Sequence, residues 1–185
     1  MPNSLLSQAI KEAYAACPVD VVRLDTLEFR HPDFIDENGN PTAIRVVLDN
    51  RDWTAKLEAD APLDAGQYVT FVKMFFDIQL APIEKGANPE IVISMDNVSK
   101  LISDNLELAS ESPHTIEVTY RPFLSNDVDE SGRLNGPHMN PPIHLNVNSV
   151  TADVYKVTAR CGYGDFANMP FPSEDYTLER FPGLG

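Results

Sequence analysis

The chain has 185 residues, of which 14 are Lys or Arg and 28 are Asp or Glu, for a formal charge of −14. Nucleic-acid affinity depends on Lys and Arg displacing counterions from phosphate, so this balance speaks against a DNA-binding regulator. A composition that is 43% hydrophobic and 23% charged is that of a globular domain rather than a disordered chain.

Ser4–Ala16 is predicted to be a short amphipathic helix. Leu5, Leu6, Ala9, Ile10 and Ala13 recur at three- and four-residue steps, with Asn3 or Ser4 as the cap and Pro18 as the stop. Met1–Cys17 has no basic region followed by a long apolar core and does not read as a signal peptide, and no apolar run reaches the roughly 18 residues of a membrane span. Strand patterns follow. In Val21–Arg30, Leu27 and Phe29 alternate with Glu28 and Arg30. The turn Asp36–Pro41 then leads into a return run with Ile44, Val46 and Leu48 on one face, which reads as a hairpin. Trp53, Ala55 and Leu57 share a face in the next run.

Tyr68–Leu80 reads as one long strand, apolar on both faces and therefore covered on both sides. Glu90–Met95 is a further short strand. Val98, Leu101, Ile102, Leu106 and Ala109 switch to a helical period and predict a second, flanking helix. Ile116, Val118 and Tyr120 alternate with Glu117 and Thr119, and Ile143–Arg160 supplies two more runs broken near Asn148–Ser149. Many short strands with one central helix predict a mainly β protein, an antiparallel β-sandwich with a flanking helix and a short N-terminal helix.

Two segments exceed a minimal sandwich. Leu124–Pro142 is too long for an ordinary connection and is expected to project as a functional loop. At the C-terminus, Phe166, Met169, Phe171, Tyr176, Phe181 and Leu184 are interleaved with Pro170, Pro172 and Pro182. Prolines keep such a segment extended, so its aromatics must lie on another surface. The expected organisation is one domain over residues 1–164 and an extended strap over 165–185. The six apolar strap residues, with Arg133 of the long loop, are the candidate interface residues.

Chemistry-bearing motifs are scarce. Cys17 and Cys161 have no Cys or His at zinc-ligand spacing and read as reduced thiols. His138 and His144 straddle two prolines at a spacing that matches no ligand pattern, while His31 and His114 read as boundary residues beside prolines. Asp127, Asp129 and Glu130 lack the spacing of a calcium loop. No catalytic, cofactor or metal residue is therefore expected. A metal-dependent hydrolase using His138 and His144, and a glycan-binding module with Trp53 or Tyr163 as stacking platform, are the weaker alternatives.

Four stretches together carry a resemblance. They are Leu24–Phe34, Gly39–Val47, Ile116–Pro122 with Pro141–Pro142, and Asn168–Pro172 continuing through Tyr176–Thr177 to Arg180–Leu184. In combination they resemble an uncharacterised family, a domain of unknown function, of small tail proteins encoded by tailed phages and prophages. The resemblance covers the chain from about Ser4 to Leu184, and the acidic insert Asp129–Gly136 departs from it. It implies a structural part of the tail tip in the virion, similar to distal tail proteins, made and folded in the host cytoplasm. The implied partners are further copies of the chain in a hexameric ring, the tail tube protein, the tape measure protein and the baseplate hub. DNA would enter only as cargo passing through a lumen, and the adjacent hub ring is the closest alternative position.

Overall fold

The computed structural model describes residues 7–16, 21–36, 38–79, 90–96, 112, 114–153 and 155–163. Among the described residues one helix, α1 (Gln8–Ala16), precedes nine strands: β1 (Arg23–Ile35), β2 (Pro41–Val47), β3 (Trp53–Lys56), β4 (Tyr68–Lys73), β5 (Phe76–Gln79), β6 (Glu90–Asp96), β7 (Glu117–Leu124), β8 (Ile143–Ala152) and β9 (Lys156–Gly162). The protein is mainly β, with the strands in the order β3-β4-β2-β1-β7-β8-β9-β6-β5. All neighbours run antiparallel except β2 and β4, which touch in parallel at Val46–Val72 and Val47–Lys73.

The β1–β2 hairpin forms as the turn residues dictate. The Asp36 carboxylate accepts from the Asn38 and Asn40 amides at 2.8 Å each, and Gly39 takes the positive φ of 82° that the turn needs. Alternation along β1 then sends Leu27 and Phe29 inward, where they meet Ile44 and Val46 of β2, Val118 of β7 and Leu145 of β8. Phe76, Ile91, Ile93, Val157 and Ala159 complete this core from the other half of the sheet, giving a sandwich-like body. Such apolar burial, at about 25 cal/mol per Å2, is the main driving term for the fold.

The run Tyr68–Leu80 is not one strand. It breaks after Lys73, and its two pieces are far apart in the strand order, β4 second from one end and β5 at the other end. The Met74 amide still donates to the Val47 carbonyl of β2 (2.9 Å), while the Phe75 carbonyl accepts from the Asp96 amide of β6 (3.2 Å). This two-residue corner carries the chain from one half of the sheet to the other and leaves Phe75 66% exposed at the bend.

Beyond the short contact between β4 and β2, strands β3 and β4 fold over the outer face of β1 and β7. Trp53, Ala55, Leu57, Val69 and Phe71 bury there against Leu24, Val47 and Phe123 as a second core. The Phe71 and Phe123 ring centroids are 5.9 Å apart. The expected projecting loop lies on this layer instead. Leu134 is buried in the second core, its amide donates to the Thr54 carbonyl and its carbonyl accepts from the Lys56 amide. The loop is thus a partner for the backbone of β3, which would otherwise be a bare edge.

α1 is capped by Ser7, whose Oγ accepts from the Ile10 amide (3.4 Å), while Asn3 and Ser4, the expected caps, lie outside the described residues. One further expectation is corrected. Asn148–Ser149, expected as a break between two runs, is a bulge within β8, which continues to Ala152 before β9 begins at Lys156. The flanking helix expected after Asp96, Cys17, and the strap with Phe166, Met169, Phe171, Tyr176, Phe181 and Leu184 lie outside the described residues.

Candidate functional site

The polar residues of β1, β2 and β7 that point away from the first core are Thr26, Glu28 and Arg30, Arg45, and Glu117, Thr119 and Arg121. Alternation alone would give them to solvent, yet the Glu28 and Arg121 side chains are 0% exposed. The segment between β3 and β4 lies across them. Its Glu58 accepts two hydrogen bonds from Arg121 (Nε–Oε2 2.8 Å, Nη2–Oε1 2.6 Å), and its Asp64 accepts one from Arg45 (2.7 Å). Glu28 accepts from Arg45 Nε (2.8 Å) and Arg30 Nη1 (3.4 Å), and Arg30 reaches Glu117 at 2.9 Å. Arg121 Nη1 lies 3.5 Å from Glu28 without a hydrogen bond. Three guanidinium groups and four carboxylates therefore form one continuous, mostly buried ladder.

Buried charges persist only when paired, and here each arginine faces at least one carboxylate. Burial pushes Glu58 up, but the Arg121 guanidinium outweighs it and holds the carboxyl below the usual range. His144 of β8 borders the ladder, its Nδ1 3.0 Å from Thr119 Oγ1. Burial, then the charges of Arg30 and Arg121, push this imidazole below its usual value.

On the inner side, a cleft of about 480 Å3 opens between the sheet halves. Leu27, Phe76, Ile78, Ile91, Ile93 and Leu145 wall it, and Ile10 of α1 and Met139 stand at its side. Its polar rim is Asp25, which accepts from Tyr120 Oη (2.6 Å) and from Arg23 (2.8 Å). Burial, reinforced by the Asp25 charge, raises the Tyr120 phenol far above its usual value, so it stays a donor.

The histidines raised as metal ligands are brought to different places. His138 places Nδ1 3.0 Å from Ser7 Oγ and Nε2 3.1 Å from Asp127, tying the start of α1 to the long loop. His144 lies with Thr119 on the ladder side. His31 spans two segments, its Nε2 donating to the His114 carbonyl (3.1 Å) and its Nδ1 accepting from the Asp33 amide (3.2 Å). Among the described residues no group of three His, Cys, Asp or Glu side chains is placed to hold a metal ion.

Trp53 is no open platform. Its ring is buried in the second core, its indole N–H donates to Asp49, and the Arg51 guanidinium covers the ring at 3.7 Å. Arg133, raised as an interface residue, donates to Asp129 (2.8 Å) and stacks at 3.9 Å over Tyr68, so it braces the long loop against β4. The ladder itself was missed in the sequence. Its signal was Glu and Arg at alternate positions of β1 and of β7, with Arg45 on β2, the strand on the other side of β1.

The model of the Domain of unknown function (DUF1833) family matches residues 9–176, a span from within α1 to beyond β9. The chain belongs to this family. No curated protein matches it. In this DUF1833 chain the ladder, the cleft rim and both cores all fall within the matched span.

Proposed function

We propose that the protein is a structural subunit of a phage or prophage tail tip, a distal-tail-type ring component that joins the tail tube to the hub. The observation that carries this reading is the resemblance of four separate stretches, from Leu24 to Leu184, to small tail proteins. The membership in an uncharacterised family over nearly the same span, and the mainly β sandwich-like body, are in keeping with it. The ladder adds a physical reason. It cross-links β1, β2, β7 and the β3–β4 connection through charge-assisted bonds, a construction suited to a rigid assembly part.

In this reading each copy carries a formal charge of −14, which would keep phosphate from adhering to the wall of a DNA-conducting lumen. Its partners would be further copies of itself, the tube protein, the tape measure protein and the hub. Deleting the coding sequence from an inducible prophage provides the test. Tails that lack a tip and do not infect, restored by the chain supplied in trans, are the expected result. Complete, infectious tails without it would overturn the reading, and retained tails with lost adsorption to glycan would favour a binding module.

A further inference from the structure

β8 outruns its partner. Its pairing with β7 ends at Asn146–Glu117, followed by one bond from the Val147 amide to the Ile116 carbonyl. Residues 148–152 continue along β9 alone, and all five are exposed. Among the described residues nothing pairs with them on the side away from β9, so that side presents a row of free backbone donors and acceptors.

Other edges of the sheet carry a blocking feature. The β3 backbone is covered by Leu134, β5 is four residues long with Asp77 in it, and β2 beyond its β4 contact carries Pro41 and Arg45. Asn146–Ala152 has no charge and no proline, and Val150 and Thr151 favour strand geometry. Edge strands are ordinarily protected by such charges, and this one is not.

We propose that this edge pairs antiparallel with the same edge of a second copy of the chain, in a register centred on Val150. Charge selects that occupant. Two copies that each carry a net −14 repel each other, so a contact between them is favoured at an uncharged strip, and residues 146–152 supply one. A basic partner would instead be met best by the acidic surface. The register follows from length. Only with Val150 opposite its own copy do all five residues 148–152 lie opposite a residue of the second copy, placing Ser149 against Thr151 of the second copy and Asn148 against Ala152. The contact is isologous, joining two copies about a twofold axis. It therefore does not rest on the tail-tip reading, in which ring neighbours meet through a head-to-tail contact.

Sedimentation of the full chain over a concentration series, with amide exchange of residues 148–152 followed in parallel, provides the test. Wild type is expected to dimerise reversibly, with protection of these amides rising with concentration. Ser149→Asp combined with Thr151→Asp sets like charges opposite each other and should weaken the dimer about tenfold or more. Ser149→Lys combined with Thr151→Asp sets opposite charges facing each other and should keep it. Both pairs sit at exposed positions, so folding should be retained, and thermal melts will verify this. A monomer at every concentration, protection independent of concentration because the chain covers its own edge, or equal behaviour of the two double variants would each overturn the proposal.

Discussion

Arg121 of β7 and Glu58, one residue beyond Leu57 at the end of the β3 run, meet through two parallel hydrogen bonds of 2.8 and 2.6 Å. They are 63 positions apart in sequence, and the pair fixes the β3–β4 connection onto the face of β7. Arg121 also faces Glu28, so one buried guanidinium compensates two carboxylates.

Arg121→Met should therefore be costly. It removes the cation and leaves Glu58 without its partner, and breaking a buried pair in this way costs about 3–5 kcal/mol. Arg160→Ala, which disrupts the exposed 3.8 Å pair with Glu90, should cost under about 1 kcal/mol. Urea denaturation of the two variants measures the contrast. Equal midpoints would show that the ladder contributes nothing beyond a surface pair.

Acid should weaken the fold in two stages. The folded state disfavours protonated His144, so its contribution is complete above the ordinary value of 6.5 and declines as pH falls below that. Glu58 is held below its ordinary 4.5, so its contribution is complete above 4.5 and is lost as pH falls through the lower folded value. His144→Gln should flatten the first part of the stability–pH curve, and Glu58→Gln the second. Denaturation midpoints across pH supply both slopes, and variants that track wild type throughout would contradict the assignment.

Much of the fold was legible because period-2 alternation is a local property. Leu27 and Phe29, Ile44 and Val46, and Trp53, Ala55 and Leu57 all face cores as their spacing requires. Alternation separates two faces but does not say whether the second is wet. Glu28, Arg30 and Arg121 look like a solvent face until the β3–β4 connection, brought by long-range packing, closes over them. The corner at Met74–Phe75 was illegible for a related reason. It holds neither Gly nor Pro, and only the bonds to Val47 and Asp96 on two different strands impose the break. The length of the 124–142 loop suggested projection, yet Leu134, buried in the second core, reverses that conclusion.

Cys161 should be inert in the native state. It is fully buried in the first core, and burial pushes its thiol up to about 12, so thiolate is scarce at neutral pH. Maleimide labelling followed by peptide mapping should find Cys161 modified only after denaturant is added. Rapid labelling of the native protein at Cys161 would mean that β9 opens far more readily than its two flanking strands suggest.

Leu134→Ala separates a packed loop from a projecting one. Leu134 is buried against the second core and bridges β3 through two backbone hydrogen bonds. Removing three carbons from a buried leucine leaves a cavity and costs about 2–5 kcal/mol, less where neighbours collapse into the space. Nearby Val128, which is exposed, offers a control whose truncation should change stability by no more than about 0.5 kcal/mol. The backbone bridge adds a local readout, because the Lys56 amide donates to the Leu134 carbonyl. If the leucine side chain holds the loop down, its truncation should accelerate exchange at Lys56 more than at Leu27 of the first core. A Leu134→Ala protein as stable as the Val128→Ala control, with unchanged exchange at Lys56, would return the loop to the status of a projecting arm.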